Sequence, residues 1–546
     1  MRFAALLVFA SLLSAQDPVP AQAPPVIKMT TRQVQVSVVV RDKKGQPVAD
    51  LKREDFVVLD QGKPQEIRYF ATERSDKGEA STPPPALPAG MYSNRSVSAG
   101  PGHPAALPNA LTVILLDGLN TRYSDRSQAR DGLAKFLGAL KPGDRVAVYT
   151  LTTQLRVLHD FTSDISELQK SLQPHKGKSQ DSGSHAESDA MERFLTESVS
   201  PMIVNFPQMR TPATLEALRV IAFQLAGIPG RKNLVWLSDG FPLNYGRRAN
   251  GMPGRNYENF SAEEQRTIRA LDDAGVAIYP VDARGLIGTF DMNPSTDPSR
   301  TAPRSRRAAA NMDTQAQNYI ADTKGELQQL ADGTGGVAFM NSNDLGSAIR
   351  RAVEDSTVSY TIGYSPSHNQ WDGEFREIKI TLNRSGVEAH YRKGYYAVPD
   401  KPLDAQARSA SLVAAADSPL PSTGLGLVGR IVPPADASSA RVAVRVVVDP
   451  AEVSFAQGSD GNWKAQLDVF LTLRDSAGNR TGQVAQTNTL TLKPEQYDQA
   501  RKSGVALDTG VAAGTTKPVK ARVVVRDAAT GALGSLDLPL GGPLNN

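Results

Sequence analysis

Two apolar runs that each stop at an aspartate define the pattern of hydrophobic and polar positions in the middle of the chain. The string LTVILLDGLNT becomes polar at Asp117, and KNLVWLSDG becomes polar at Asp239. Apolar runs without alternation are typical of strands buried on both faces, hence of parallel strands in an α/β sheet. Ligand sites of such sheets lie beyond the carboxyl ends of the strands. We therefore expect the two aspartates to share one site.

Helical periodicity alternates with these runs. Apolar positions recur on one face after each run, which predicts helices over 129–140, 214–226 and 262–274. The alternation continues to residue 365, and strand-period strings such as FREIKITL then predict closing β strands up to 398. We predict an α/β domain over 110–398 with a doubly wound, mostly parallel sheet.

Strand-period patterns flank this domain on both sides. Valines alternate with other residues from 34 to 40, which predicts a small N-terminal β module over 27–72. The strings RVAVRVVVD and WKAQLDVFLTLRD predict an all-β, immunoglobulin-like sandwich over 424–546. The Pro-rich stretch 73–109 and the Ala/Pro/Ser-rich stretch 399–423 are predicted to be linkers.

Composition and charge exclude several functions. The chain has 546 residues and a formal net charge of +4, without a cluster of basic residues interleaved with aromatics, which disfavours nucleic-acid binding. It contains no cysteine, so it has no disulfides and no zinc–thiolate centre. Residues 1–15 have the pattern of a signal peptide, which predicts an exported protein that is periplasmic, at the cell surface or secreted. No later run is long enough for a permanent membrane span.

The polar groups around the two aspartates suit a hard divalent cation. Two carboxylates, with hydroxyls nearby, match the oxygen ligands that Mg²⁺ prefers. The alternative is that Asp117 and Asp239 cap the turns that follow them, as aspartates commonly do.

The motifs of residues 110–365 resemble those of a von Willebrand factor type A domain. That family carries Asp-x-Ser-x-Ser after the first strand, and this chain has DGLNT over residues 117–121, with Leu119 in place of the first serine and Thr121 in place of the second. The family's threonine that opens a helix is matched by Thr214 in TLEAL, and its later aspartate by Asp239 in SDG. The strings DFVVLDQGKPQEIRYF, RVAVYTL and YRKGYYAV further resemble a bacterial group, the acidobacterial VWFA-related proteins.

The resemblance implies a metal-ion-dependent adhesion site that holds Mg²⁺, or Mn²⁺ or Ca²⁺. The candidate metal ligands are Asp117, Asn120, Thr121, Thr214 and Asp239, although Asn120 falls on a spacing position of the motif. A protein or peptide partner would complete the metal shell with an acidic side chain.

The first hypothesis is therefore an exported, non-enzymatic binding protein. One alternative is a structural subunit of an envelope assembly with a vestigial metal site. Another is a hydrolase, which no nucleophile–base arrangement in the sequence supports: the six histidines are scattered and no Gly-x-Ser-x-Gly string occurs.

Overall fold

A computed structural model describes most of the chain. The residues that it describes are 33–74, 87–95, 111–138, 140, 144–162, 164–172, 185–196, 207–228, 230–240, 244–247, 253–284, 323–340, 344–368, 370–398, 404–433, 441–514 and 516–540. The predicted signal peptide lies outside these residues. All of these described residues belong to one compact unit.

Twenty-four strands occur in the described part of the chain. The first twelve are β1 (Val34–Asp42), β2 (Phe56–Asp60), β3 (Lys63–Gln65), β4 (Ile67–Arg74), β5 (Tyr92–Ser93), β6 (Leu111–Asp117), β7 (Val146–Leu151), β8 (Leu155–Thr162), β9 (Lys232–Ser238), β10 (Asn244–Arg247), β11 (Pro253–Asn259) and β12 (Val276–Asp282). The others are β13 (Val358–Tyr364), β14 (Phe375–Leu382), β15 (Val387–His390), β16 (Gly394–Tyr396), β17 (Leu427–Val432), β18 (Arg441–Val448), β19 (Ala456–Gln457), β20 (Trp463–Arg474), β21 (Arg480–Leu492), β22 (Val505–Ala512), β23 (Lys520–Asp527) and β24 (Leu533–Pro539).

Helices connect these strands. In chain order they are α1 (Tyr123–Leu137), α2 (Ile165–Ser171), α3 (His185–Thr196), α4 (Pro207–Leu225), α5 (Ser261–Asp273), α6 (323–334), α7 (Leu345–Asp355), α8 (Ala405–Asp417) and α9 (Pro494–Ser503). None of the helices in the described ranges is both long enough and apolar enough to cross a membrane.

The central sheet has the strand order β12-β9-β6-β7-β8. The first four strands are parallel and buried at every position, and β8 closes one edge as an antiparallel strand. One apolar core lies between the sheet and α4, α5 and α6, and a second lies on the opposite face under α1, α2, α3 and α7. The predicted doubly wound, mostly parallel α/β fold is confirmed.

The chain changes direction across this sheet between β6 and β9. It runs from β6 outward to β7 and β8, and then crosses to β9 on the other side of β6. This is the topological switch point of the sheet, where a crevice forms beyond the strand ends. Asp117 ends β6, and Asp239 directly follows β9. The expected meeting of the two aspartates at one sheet edge therefore follows from the observed strand order.

The strands at the two ends of the first 398 residues combine into one sandwich. Its sheets are β15-β1-β13-β4 and β16-β14-β2-β3, with a core that includes Val36, Val58, Tyr360 and Ile380. The sequence placed β1–β4 in a separate module and β13 in the α/β sheet. The structure instead pairs β13 with β1 and β4, because the pattern of a buried strand does not say which strand it will pair with.

A second sandwich follows at the C-terminus. The sheets β22-β18-β17-β5 and β19-β20-β23-β24, with β21 on β20, enclose an apolar core, which confirms the all-β prediction. Both predicted linkers contribute to it. Strand β5, within 73–109, pairs with β17, and helix α8, within 399–423, packs against Phe470 and Val524.

Candidate functional site

The carboxylate of Asp117 is the centre of a buried hydrogen-bond network. Its Oδ1 accepts from the main-chain nitrogens of Leu119 at 3.1 Å and Asn120 at 3.0 Å. Its Oδ2 accepts from Asn120 Nδ2 at 2.8 Å, Trp236 Nε1 at 3.0 Å and Ser238 Oγ at 2.9 Å. Burial raises the pKa of Asp117, and the bonds from Asn120 and Ser238 oppose that rise. With five donors, this carboxylate has no lone pair left for a direct metal bond.

The amide of Asn120 links the β6–α1 loop to helix α4. Asn120 Nδ2 also donates to Thr214 Oγ1 at 2.7 Å, and that hydroxyl donates its proton to the carbonyl of Arg210 at 3.0 Å. The resemblance implied that Thr214 opens a helix. It lies instead two turns inside α4, because α4 begins at Pro207. The amide thus joins the first and second predicted motifs through a neutral hydrogen-bond donor.

Asp239 has a different environment from Asp117. Its Oδ2 accepts from the main-chain nitrogen of Arg122 at 3.0 Å, and the Arg122 guanidinium is 3.7 Å away. Burial raises the pKa of the Asp239 carboxyl to about 7, and the positive charges of Arg284 and Arg122 lower it. Arg284 itself is paired with Asp282 at 2.8 Å. Asp239 is therefore a buried hydrogen-bond acceptor with fewer donors around it than Asp117 has.

Three buried oxygen atoms at this edge have no hydrogen-bond partner among the residues that the structure describes. They are the side-chain carbonyl Oδ1 of Asn120, the hydroxyl Oγ1 of Thr121 and the carboxylate Oδ1 of Asp239. All three residues are at most 6% exposed. Buried polar atoms rarely lack a hydrogen-bond partner, so each of these oxygens is a candidate to bind a ligand. A carbonyl, a hydroxyl and a carboxylate are the oxygen types that Mg²⁺ and Ca²⁺ bind. This donor set fits a hard cation, although the described residues include no group of three or more His, Cys, Asp or Glu arranged for a metal.

Leu119 and Arg126 fix the conformation of the β6–α1 loop. Leu119 is 5% exposed and belongs to the apolar core on the α4 side of the sheet, so its position supplies packing. Arg126 is buried and donates to the carbonyls of Gly118, Thr121 and Phe194. These bonds hold the loop in the conformation that turns the Asn120 amide toward Asp117.

The sequence interpretation missed three of these side chains. Trp236 and Ser238 are two residues apart, so they lie on the same face of β9 and both reach Asp117 on the neighbouring strand. Arg126 precedes Ala129 and Leu133 at helical spacing, which places a charged residue on the apolar face of α1. That mismatch was the available signal of a buried arginine.

Comparisons with known proteins describe a likeness of fold. No protein-family model matches the chain, and no curated protein matches its sequence. The chain is similar to the structure of a von Willebrand factor type A protein from Catenulispora acidiphila, with 11% identity, a TM-score of 0.23, and coverage of 87% of this chain and 74% of the other.

Two further structures are similar over a little under half of this chain. BatB from Bacteroides thetaiotaomicron has 14% identity and a TM-score of 0.25, covering 45% of this chain and 98% of the other. Proximal thread matrix protein 1 of the mussel byssus, solved with a zinc-occupied MIDAS motif, has 11% identity and a TM-score of 0.21, covering 47% of this chain and 48% of the other. TM-scores this low carry no inference about function.

Proposed function

We propose that this chain is an exported, non-enzymatic binding protein whose α/β domain captures a protein or peptide partner at the edge formed by the ends of β6 and β9. The observation that carries the proposal is the set of three unsatisfied buried oxygens, Asn120 Oδ1, Thr121 Oγ1 and Asp239 Oδ1, at the switch point of the sheet. Such a crevice is where open α/β sheets bind ligands.

The residues at this edge have two roles: some would bind a cation, and the others position the Asn120 amide. Thr121, Asp239 and Asn120 would hold a divalent cation, Mg²⁺ or Mn²⁺ or Ca²⁺, through their free oxygens. Asp117 and Thr214 position the Asn120 amide from behind. The bound cation would offer an open position to an acidic side chain of the partner.

The hydroxyl groups near the site support a binding role over catalysis. Ser238 donates its proton to Asp117, and Thr214 donates its proton to the carbonyl of Arg210. A nucleophilic hydroxyl needs an adjacent general base that can take up its proton during the reaction. The Asp117 carboxylate accepts five hydrogen bonds from protein donors, so it is poorly placed to take up a further proton.

Location and partner follow from the same proposal. The signal-peptide pattern of residues 1–15 supports export to the periplasm, the cell surface or the medium. The partner is a protein or peptide with an exposed Asp or Glu side chain.

One observation favours a second candidate, a structural subunit of an envelope assembly that needs no metal. The Asn120 amide lies 2.8 Å from Asp117 Oδ2 and 2.7 Å from Thr214 Oγ1, so a neutral donor already joins two of the predicted metal ligands. The Arg122 guanidinium, 3.7 Å from Asp239, adds positive charge at the same edge.

Metal binding to the full chain separates the two candidates. A cation that binds only the folded state adds about 1.4 kcal/mol of stability at ten times its dissociation constant. We expect Mg²⁺ or Mn²⁺ to raise the melting temperature of the α/β unit by about 3–6 °C at pH 8. The chelator EDTA should reverse the rise, and Asp239→Asn should abolish it.

Asp131→Asn is the matched control, because Asp131 is exposed on α1 and away from the site. It should keep the metal response. An unchanged melting temperature in the wild-type chain would reject the metal and favour the structural subunit. If the metal binds, capture of acidic peptides immobilised on beads, with and without chelator, tests the partner class.

A further inference from the structure

A second cavity lies at the opposite end of the central sheet. It has a volume of about 550 Å³ and lies where β9 and β12 begin, between the α/β unit and the sandwich built from β1–β4 and β13–β16. Lys232 is the first residue of β9, whereas the aspartate site follows the last residue of that strand, Ser238. The cavity is therefore distinct from the candidate partner site, and its volume is in the range of small-molecule pockets.

Lys232 lines this cavity with a largely unsatisfied ammonium group. The residue is 3% exposed, and its Nζ donates to the carbonyl of Ile228 at 2.5 Å. Among the described residues this is the one hydrogen bond of the ammonium, and no carboxylate forms an ion pair with it. An ammonium has three donors. Burial lowers the pKa of Lys232 to about 8, and the negative charge of Glu73 opposes that fall.

Arg231 adds a second buried cation to the wall. Its guanidinium donates to Ser37 Oγ at 3.2 Å, Tyr279 OH at 3.0 Å and the carbonyl of Gly335 at 2.7 Å, all of them neutral acceptors. Its Nε is buried and has no partner within the described part of the chain. Arg231 is 3% exposed, so solvent does not screen this charge.

The carboxylates of the wall are committed to other donors. Glu73 accepts from the main-chain nitrogen of Arg231 at 3.0 Å and from the hydroxyls of Ser359 and Thr361. Asp272 is paired with Arg392, and Asp273, which also lines the cavity, lies 3.7 Å from the guanidinium of Arg269. With those groups paired, Arg231 and Lys232 face the single charge of Glu73. Buried charges without counterions are costly, so an anion in the cavity would be stabilised there.

The wall also has an aromatic side. Trp371, Tyr395 and Tyr396 line it, and the rings of Trp371 and Tyr395 lie 6.1 Å apart. A ligand that is anionic at one end and apolar at the other would contact both parts of the cavity. Such ligands are usually oriented by a few polar groups within a mostly apolar wall.

We propose that this cavity binds a small organic carboxylate, with its charged group at Lys232 and Arg231 and its apolar part against Trp371, Tyr395 and Tyr396. The site is independent of the proposed partner capture, since the two lie at opposite ends of the sheet.

Benzoate and its neutral isostere benzamide are the test probes, titrated into the full chain at constant ionic strength. The chain has three tryptophans, of which Trp236 lies in the α/β core and Trp463 stacks on Tyr497 in the C-terminal sandwich. Binding should change the emission of Trp371, and Trp371→Phe should remove that signal. We expect saturable binding of benzoate and at least about tenfold weaker binding of benzamide, because a hydrogen bond to a charged group is worth about 1.5–3 kcal/mol.

Lys232→Met tests the residue that carries the proposal. It removes the charge at similar length, and benzoate should bind at least about tenfold more weakly. The melting temperature of the unliganded variant should be equal or higher, since a buried, unpaired cation is lost. Lys135→Met, on the exposed face of α1, is the control and should bind benzoate as the wild type does. Equal binding of benzoate and benzamide, no binding of benzoate at 10 mM (about the weak limit for a fragment), or unchanged binding by Lys232→Met would each overturn the proposal.

Discussion

At the scale of single residues, the two aspartates of the site play different structural parts. Asp117 accepts five hydrogen bonds from buried donors, whereas, among the residues that the structure describes, Asp239 accepts one, from the main-chain nitrogen of Arg122. A buried donor that loses its acceptor costs about 1–3 kcal/mol. The same chemical change should therefore have very different consequences at the two positions.

We expect Asp117→Ala to lower the free energy of unfolding of the α/β unit by about 2–4 kcal/mol, because several buried donors lose their acceptor. Asp239→Ala should cost less than about 1 kcal/mol, since burial already disfavours its charged form. Urea unfolding followed through Trp236, in a background with Trp371→Phe and Trp463→Phe, measures both. Equal losses would contradict the network around Asp117.

Glu264 gives the molecule a pH-dependent stability. Its side chain is buried on α5, it accepts from Gln329 Nε2 at 3.0 Å, and burial raises its pKa to about 7 from an ordinary value of 4.5. Between these two values the folded state holds a proton that the unfolded state has released. The contribution of Glu264 to stability is therefore largest below pH 4.5 and is lost as the pH rises to about 7.

The test compares wild type with Glu264→Gln by urea unfolding from pH 5 to pH 8 (about the range of the titration). Relative to wild type, the variant should gain stability as the pH rises, on the order of 2 kcal/mol across the range. A constant difference between the two proteins would show that the Glu264 carboxyl titrates alike in both states.

At the scale of elements, the two-residue strand β5 is anchored by the side chains of the two residues that follow it, and Arg95 contributes an ion pair with Glu452. Asn94, which follows β5, donates to the carbonyls of Ser422 and Leu425, both at 2.8 Å, and accepts from the main-chain nitrogen of Leu427 at 2.8 Å. The residue is 7% exposed. A strand of two residues has too few ladder bonds to hold by itself, so these three bonds fasten residues 87–95 to the C-terminal sandwich.

Asn94→Ala should free this segment, because three buried main-chain groups lose their partner and each costs about 1–3 kcal/mol. Limited proteolysis should then cut within 87–95 at least about tenfold faster than in wild type, since cleavage follows local opening. Asn383→Ala, at an exposed turn of the first sandwich, provides the comparison and should leave that rate unchanged. Equal rates for Asn94→Ala and wild type would contradict the anchoring role.

At the scale of the whole molecule, the first sandwich joins parts of the chain that are far apart in sequence. Strands β1 and β4 pair with β13, and β2 pairs with β14, so the α/β unit is inserted between the halves of a β structure. Tyr360 and Ile362 on β13 and Ile380 on β14 are buried by that pairing. A fragment covering 110–398 would expose this apolar surface and leave the edges of β13 and β14 unpaired.

We expect the 110–398 fragment to bind the dye ANS and to aggregate at micromolar concentration, as exposed apolar surface and free strand edges predict. Co-expression with residues 27–74 should restore a soluble complex. A monomeric 110–398 fragment with a cooperative melting transition would contradict this account and support the domain boundaries predicted from sequence.

The sequence alone was enough for the features that depend on local pattern. Continuous apolar runs identified β6 and β9 as doubly buried strands, helical spacing identified α1 and α5, and alternation identified the C-terminal sandwich. The position of Asp117 and Asp239 at strand ends follows directly from where those runs stop. These inferences hold because burial on both faces leaves its pattern in the residues themselves.

Tertiary structure alone decided which elements meet. No pattern in residues 358–364 says that this strand leaves the α/β sheet for β1 and β4, because a buried strand looks the same whatever its neighbours are. Likewise, the motif string did not show that Asn120 bridges Asp117 and Thr214, nor that Leu119 faces the core. The cavity at Lys232 is lined by several segments that are far apart in sequence. Pairing and side-chain contact depend on the packing of the whole chain, which local periodicity does not encode.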